Sequence, residues 1–243
     1  MTVISTAQIL DKRWKYLRNA KNKCKKQVQK TRNDDWYAKE GVLAVSLKET
    51  PSQTAGPYVH IGCAPNYAGI TGVYANDLGS QMVRDGAQGE RITIAGTIVD
   101  GAHTPLKDAM IEIWQADANG LYNSPLENRG TPDPCFTGWG RQPTDGVTGA
   151  YCFETIKPGS APWPDGRQQA PHVTFWIVAR GINLGLCTRM YFDDEAVANA
   201  EDPLLNRIEH QNRVPTLIAA RKGTAYQFNI YLQGKNETIF FDI

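Results

Sequence analysis

The sequence of 243 residues lacks any uninterrupted apolar run of about 18 residues, the length that a membrane-spanning helix requires. It also lacks an initial short apolar run followed by small residues, so no secretion signal is evident. Its 26 basic and 25 acidic side chains leave a formal net charge of +1. This balance gives no reason to expect nucleic-acid binding by the body of the chain. We therefore expect a protein that contacts neither membrane nor nucleic acid.

Cysteine is scarce and poorly spaced for covalent or metal cross-links. The chain has five cysteines, an odd number, and no two of them form a C-x-x-C pair. This pattern argues against a disulfide framework and against a zinc knuckle. We expect reduced thiols in a cytoplasmic protein, with Cys152 and Cys187 as ordinary core residues.

The common catalytic signatures are also missing. The sequence contains no GxSxG, no phosphate-binding loop, no HExxH and no GxGxxG after a strand. The four histidines stand far apart along the chain, and an isolated histidine is usually a structural residue. Any chemistry must therefore come from a less common set of residues.

Glycine and proline are absent from the first 40 residues, whereas basic residues are abundant there. Residues 1–45 carry eleven Lys and Arg and four Asp and Glu, a net charge of +7, so the remainder carries 15 minus 21, or −6. We predict a basic N-terminal extension over residues 1–45, helical or disordered, ahead of one domain over residues 46–243. The extension is interpreted as an organelle address, a nucleic-acid arm or a solvated segment.

Short runs rich in β-branched and aromatic residues follow, separated by glycine and proline. They predict strands at 91–99, 109–116, 151–156, 172–179, 186–192, 225–232 and 238–243. Several short strands with turns between them indicate a mostly-β sandwich or barrel. Two short helices are predicted at 203–210, with Asp202 as the N-cap, and at 215–222.

One region of the sequence is dense in distinctive motifs. The run WQADANGLY at 114–122 is followed by TGAY at 148–151, TIKPG at 155–159 and APHVT at 170–174. In these motifs the chain resembles the intradiol ring-cleaving dioxygenases, non-haem ferric enzymes that open catechols between their two hydroxyl groups. The resemblance covers roughly residues 48–243. It implies a β-sandwich of that family's type, with short helices and long loops.

The resemblance also implies a metal site. Family members hold Fe(3+) with two tyrosinates and two histidines, and phenolate oxygen suits this hard, strongly acidic ion. Tyr122 falls on the first tyrosinate position, Tyr151 on the second and His172 on the first histidine. The second histidine should follow two residues later on the same face of a strand, where Thr174 stands.

Two further positions depart from the family pattern. Gln169 stands where an arginine is expected, and Arg189 stands where a glutamine is expected. The pattern implies a degenerate iron site, and a homologous partner chain that holds the Fe(3+). The resemblance further implies that Thr54, Gly56, Pro57 and Arg180 bind substrate at the partner's cleft. A cation at Arg180 would favour a catechol that carries a carboxylate.

Two other interpretations remain open from the sequence. The chain could be a self-sufficient intradiol dioxygenase, in which His60 or His103 supplies the missing ligand. Alternatively, it could be a non-catalytic binding module that keeps the β-sandwich and has lost the chemistry. In all three interpretations the folded domain is the same.

Overall fold

A computed structural model describes residues 53–56 and 58–242. The predicted extension over residues 1–45 and the predicted substrate-binding residue Pro57 lie outside the described residues. None of the described helices is long and apolar enough to cross a membrane.

Strands dominate the described part of the chain. They are β1 (Arg91–Val99), β2 (Met110–Trp114), β3 (Trp139–Pro143), β4 (Ala150–Ile156), β5 (Ala161–Pro162), β6 (Gln168–Gln169), β7 (His172–Val178), β8 (Leu186–Phe192), β9 (Ile218–Lys222), β10 (Ala225–Gln227) and β11 (Ile230–Tyr231). In β1 every second side chain is buried, because isoleucine recurs with the two-residue period of a strand whose one face meets a core.

One large sheet curls around the core. Its strand order is β4, β1, β10 with β11, β9, β8, β7, β2 and β3, and β5 and β6 form a separate pair. Apolar side chains from distant parts of this sheet meet inside it. Phe153 of β4 contacts Phe175 of β7 edge to face, with the ring centroids 6.4 Å apart. The prediction of a mostly-β, sandwich-like fold is confirmed.

The predicted strand at 225–232 is interrupted in its middle. The backbone carbonyl of Phe228 lies against Gly96 of β1, where a Cβ atom would come within 1.8 Å of that oxygen. Only glycine permits this approach. The segment runs parallel to β1 in one register and is assigned as two short strands, β10 and β11, on either side of Phe228 and Asn229. The predicted strand at 238–243 is absent over its described part, residues 238–242.

Helices in the described chain are short. They are α1 (Tyr58–Cys63), α2 (Ala196–Glu201) and 3₁₀ segments at Asp193–Glu195, Leu205–Arg207 and Gln211–Leu217. The predicted helix at 215–222 is wrong, because Ile218–Lys222 pairs with β8 and β10 as a strand. Of the predicted helix at 203–210 only the 3₁₀ segment Leu205–Arg207 forms, and its N-cap is Leu204 and not Asp202. Asp202 Oδ1 nevertheless accepts hydrogen bonds from the backbone N–H groups of Leu204 and Leu205, at 2.8 and 2.9 Å.

The cysteine prediction is correct for one of its two residues. Cys187 is buried, whereas Cys152 is exposed. Tyr151 and Phe153 on either side of Cys152 point into the core, so strand alternation turns the thiol outward. All four cysteines of the described chain, at 63, 135, 152 and 187, are free thiols.

Candidate functional site

A buried carboxylate organises the loop that follows β2. Asp117 Oδ1 accepts hydrogen bonds from the backbone N–H groups of Asn119 and Leu121, both at 2.9 Å, and its Oδ2 accepts one from Asp133 N–H at 3.0 Å. The carboxylate is 2% exposed, so these bonds replace water that would otherwise satisfy it. An aspartate at the first position of an Asp-x-Asn-Gly turn favours this geometry.

This loop delivers Tyr122 to the outer face of the sheet. Its ring stacks on Trp114 at the end of β2, with centroids 6.0 Å apart and planes 11° apart. Its backbone N–H donates to Glu127 Oε2 at 3.0 Å. Gly120 makes the turn with a φ of +77°, where a Cβ would lie 2.0 Å from the carbonyl of Ser160. The position of Tyr122 is therefore fixed by both backbone and ring contacts.

His172 at the start of β7 meets this tyrosine. Its Nδ1 lies 2.8 Å from the carbonyl oxygen of Ala170, which can only accept a hydrogen bond, so Nδ1 carries the proton. The lone pair on Nε2 then faces the hydroxyl of Tyr122 at 3.5 Å, and the tyrosine donates. Burial, and then the positive charge of Arg189, lower the pKa of His172 to about 3. Burial raises the pKa of Tyr122, so both groups are neutral at pH 7.

The depressed pKa of His172 predicts a specific loss of stability in acid. The unfolded histidine takes up a proton below pH about 6.5, whereas the folded one does so only near pH 3. The contribution of neutral, buried His172 to the free energy of unfolding is therefore fully present above pH 6.5 and is lost as the pH falls toward 3. Between pH 7 and pH 5 we expect wild type to lose about 2 kcal/mol more unfolding free energy than His172→Gln, measured by urea denaturation at both pH values. Equal losses in the two proteins would contradict the neutral, buried imidazole.

The two positions that depart from the family pattern form a direct contact. Arg189 of β8 donates from Nη1 to Oε1 of Gln169 in β6, at 2.8 Å. The resemblance leads us to expect arginine at 169 and glutamine at 189, so the two residue types are exchanged between facing positions. Thr174 lies opposite Arg189 in the pairing of β7 with β8, and opposite Trp114 in the pairing with β2. Arg189 is therefore the cross-strand neighbour of Thr174, where the resemblance leads us to expect the second histidine.

Tyr151 is not part of this cluster, which corrects the expectation that it shares a site with Tyr122 and His172. Its hydroxyl donates to the carbonyl of Phe228 at 2.6 Å, and its ring packs against Phe175 in the core. Phe175 and His172 are three residues apart on β7, so their side chains point to opposite faces of the strand. Burial raises the pKa of Tyr151 well above its usual value, which fits a packing residue.

Two predicted substrate-binding residues meet at a second location. Thr54 Oγ1 donates to the carbonyl of Ala179 at 3.2 Å and accepts from Gly181 N–H at 2.8 Å. These bonds flank Arg180 on both sides, although Thr54 is 126 positions earlier in the chain. The Arg180 side chain is 76% exposed, and its Nε donates to Asp108 Oδ2 at 3.1 Å. Thr54 thus positions the loop that carries this exposed guanidinium.

This second location lies far from His172. Arg180 follows the carboxyl end of β7, whereas His172 begins that strand, and the strand itself spans roughly 20 Å. Gly56 lies near Thr54 in sequence, and a Cβ built on it would meet nothing within 4 Å. Among the described residues, no atom lies close enough to Gly56 to exclude a side chain at that position.

The two histidines considered as substitute ligands are elsewhere. His60 of α1 packs on Tyr67, with ring centroids 5.6 Å apart, and His103 packs on Tyr231 at 6.4 Å. Neither hydrogen-bonds or stacks with Tyr122 or His172 in the described part of the chain. Among residues 53–56 and 58–242, no group of three or more His, Cys, Asp or Glu side chains could hold a metal ion.

Residues 63–234 match a family model described as "Dioxygenase", which spans well over half of the chain. The chain belongs to the intradiol ring-cleavage dioxygenase family. It is 45% identical over 202 residues to the protocatechuate 3,4-dioxygenase alpha chain of Pseudomonas putida, covering 81% of this chain and 97% of the relative. It is 37% identical over 209 residues to the corresponding alpha chain of Burkholderia cepacia, covering 82% and 99%. The Burkholderia cepacia beta chain is 33% identical over 187 residues, covering 72% and 79%.

Sequence reasoning missed the polar groups that hold this intradiol dioxygenase's cluster in place. Asp117 and Gln115 are buried, and Gln115 accepts from Thr155 and donates to the carbonyl of Ile156 at 2.9 Å. Asp202 accepts from Ala170 N–H at 2.8 Å, next to the carbonyl that orients His172. The Asp-x-Asn-Gly turn was a usable signal for Asp117. The roles of Gln115 and Asp202 depend on hydrogen-bond partners that are at least 30 residues away in sequence.

Proposed function

We propose that this chain is an alpha-type subunit of protocatechuate 3,4-dioxygenase. In this proposal it assembles with a beta subunit that holds the ferric iron. The complex cleaves protocatechuate with O2 to 3-carboxy-cis,cis-muconate. Both alpha-chain relatives align over nearly their whole length, which supports this assignment over other members of the family.

The observation that carries the proposal is the separation of two locations within one chain. Tyr122 and His172 meet at one end of β7, and the loop of Arg180 lies beyond the other end of this strand, which spans roughly 20 Å. A catechol ring is far too small to contact both. A substrate that Thr54 and Arg180 reach would therefore not contact Tyr122 or His172, which supports a substrate site shared with another chain.

The cluster around His172 also does not fit a four-ligand ferric site. Of the four ligand positions that the resemblance implies, Tyr122 and His172 bring donor atoms together, whereas Thr174 stands at the third and Tyr151 at the fourth faces the core. The guanidinium of Arg189 repels a metal cation, and burial favours the neutral form of Tyr122 over the phenolate that iron requires. We therefore derive no reaction step through iron in this chain and assign the iron to the beta subunit.

Arg180 is the residue we propose for recognising the substrate's carboxylate. Its bond to Asp108 uses Nε alone, and both terminal nitrogens are without a hydrogen-bond partner among the described residues. The forked edge of a guanidinium suits a carboxylate, which protocatechuate has and catechol lacks. Thr54 would act as a positioning residue through its two bonds to the loop.

Arg180→Ala in the assembled enzyme should reduce kcat/KM for protocatechuate by between about 1.5-fold and tenfold, with a smaller loss for catechol. An exposed ion pair contributes ~0.2–1 kcal/mol and a better desolvated one more, and ~1.4 kcal/mol corresponds to tenfold. The loss should shrink at high ionic strength because salt screens exposed charges. The measurement is kcat/KM for both substrates at low and high salt.

Arg167→Ala is the matched control, since Arg167 is also an exposed arginine paired with one aspartate, Asp165. It should leave both kcat/KM values unchanged. Equal losses for the two substrates in Arg180→Ala, or none in either, would mean that Arg180 has only a structural role.

The proposed function is tested by metal content and activity with and without the beta subunit. The purified chain alone should hold far less than one iron per chain, lack a visible tyrosinate band and cleave no protocatechuate. Co-expression with the beta chain of the same organism should yield a coloured, active complex that contains both chains. An iron-loaded, active single chain would instead establish a self-sufficient dioxygenase. Inactivity with the beta chain would favour a non-catalytic module.

A further inference from the structure

The candidate site contains a cation, Arg189, that no carboxylate pairs with directly. Its partners in the described chain are the amide oxygen of Gln169, at 2.8 Å, and the hydroxyl of Tyr191, and both are neutral groups. Arg141, by contrast, is also half-buried and forms an ion pair with Glu112. Because a partly buried charge without an opposite charge is costly, an anion from solution would stabilise Arg189.

Two carboxylates lie close to this site, and both have other partners. Asp202 is fully buried, and its oxygens accept three backbone N–H groups and the hydroxyl of Tyr191, which is 3.3 Å away. Glu127 forms an ion pair with Arg129. The Tyr191 hydroxyl contacts both Asp202 and Arg189, so these two charges interact through it and not directly. The guanidinium therefore has no direct counter-charge in the part of the chain that the structure describes.

A short side chain stands beside this cation. Thr174 is paired across the sheet with Trp114 on one side and with Arg189 on the other, so the three side chains form one row on one face. Threonine leaves space between two long neighbours, where the resemblance leads us to expect an imidazole. All three side chains are half-buried, so solvent reaches the row. Burial raises the pKa of Tyr122 and lowers that of His172, and the charge of Arg189 is the next largest influence on both pKa values.

The other two members of the row have unused hydrogen-bond donors. Among residues 53–56 and 58–242, neither the hydroxyl of Thr174 nor the indole N–H of Trp114 has a hydrogen-bond partner. The buried threonines differ, since Thr155 donates to a side-chain oxygen at 2.8 Å and Thr188 to a backbone carbonyl at 2.7 Å. Two free donors in a row with a guanidinium are complementary to a carboxylate, which only accepts hydrogen bonds.

We propose that the row of Trp114, Thr174 and Arg189 binds a small carboxylate anion, so that the degenerate iron site of this chain is an anion site. The guanidinium of Arg189 would donate to the carboxylate, the Thr174 hydroxyl would donate to the same group, and the indole of Trp114 would contact the organic part of the ligand. The site thus takes a ligand of the opposite charge to ferric iron. This inference goes beyond the proposed function and needs no partner chain.

The test is calorimetric titration of the full-length chain, without any partner, with sodium benzoate at pH 7 and low ionic strength. Wild type should bind one benzoate per chain. Benzamide has the same ring and no charge, so it should bind at least about tenfold more weakly. Added salt should raise the Kd for benzoate, because salt screens a partly exposed ion pair. Inorganic phosphate is the comparison for an anion of another class.

Variants then locate the bound anion. Arg189→Gln should raise the Kd for benzoate at least about tenfold, and Arg189→Lys should raise it less, because lysine keeps the charge and loses the fork. Thr174→Val keeps the shape without the hydroxyl and should raise the Kd by about threefold. Arg167→Gln is the matched control, because Arg167 already pairs with Asp165, and its Kd should stay within about twofold of wild type.

The outcomes decide for or against the anion site. Benzoate binding that Arg189→Gln weakens and Arg167→Gln leaves unchanged would support it. Absence of benzoate binding in wild type, or the same Kd in wild type, Arg189→Gln and Thr174→Val, would overturn it. Equal affinity for benzamide would show that charge is not recognised. Phosphate bound more tightly than benzoate, and lost in Arg189→Gln, would overturn the assignment to a carboxylate. Because the beta chain is absent throughout, failure here leaves the proposed function untouched.

Discussion

The triple variant Thr174→His, Gln169→Arg, Arg189→Gln should bind Fe(3+) or Co(2+) at least about 100-fold more tightly than wild type. The first change adds an imidazole two residues from His172, on the same face of β7. The other two exchange the partners of the bond between Gln169 and Arg189, which moves the guanidinium away from Thr174. Outer-shell changes alone alter metal affinity by roughly 10–100-fold, and an added ligand has a larger effect. Calorimetric titration with Co(2+) and the visible tyrosinate band with Fe(3+) measure the gain.

Two controls identify the source of that gain. Adding His172→Ala to the triple variant should abolish it, because the new site would lose one of three ligands. Thr174→His alone should gain less than the triple variant, since Arg189 keeps a positive charge beside the new imidazole. If the triple variant folds and binds no more metal than wild type, the assignment of His172 and residue 174 to one ancestral site is wrong. Because Tyr151 faces the core, we expect restored binding without restored turnover.

Asp117→Ala should lower the unfolding free energy by about 3 kcal/mol, since three backbone N–H groups lose a buried carboxylate acceptor. For a domain of this size the melting temperature should fall by about 6–12 °C, measured by differential scanning calorimetry. The melting temperature of Asp117→Asn should fall by roughly half as much, because the remaining side-chain oxygen still accepts hydrogen bonds from the backbone N–H groups of Asn119 and Leu121.

Asp165→Ala is the matched control for Asp117→Ala. Asp165 is an exposed aspartate that pairs with Arg167 in a turn, so the melting temperature should move by less than about 2 °C. If the melting temperature falls by a similar amount in Asp165→Ala and Asp117→Ala, the buried carboxylate of Asp117 stabilises the fold no more than an exposed one does. It would also mean that the position of Tyr122 depends on its stacking with Trp114 and not on the turn.

Local patterns were sufficient to predict most strands. The alternating run at 91–99 forms β1 with the same bounds, because period-two burial is encoded residue by residue. The run at 186–192 forms β8, also with the same bounds, although its burial does not alternate. The segment at 215–222 was predicted as a helix, yet its second half forms β9. Its partners, β8 and β10, supply hydrogen bonds and burial that outweigh a weak helical propensity.

Residue spacing alone predicted that His172 and Thr174 share one face of a strand but not that Tyr151 lies apart from them. The spacing of His172 and Thr174 placed both on one face of a strand, which the structure bears out. Tyr151 lies in a distinctive motif, yet its ring points into the sandwich. Which face of a strand is buried depends on which face meets the other half of the sheet. The residues around TGAY do not encode the position of Phe228, whose carbonyl accepts the hydrogen bond from Tyr151.

The sequence by itself determined the family and the mostly-β fold. These depend on residue types and short spacings, which are local properties. Only the tertiary structure decided that Gln169 and Arg189 contact each other and that Thr54 holds the loop of Arg180. Each of those facts joins residues that are distant along the chain. Their relation is fixed by how the whole sheet curls around its core.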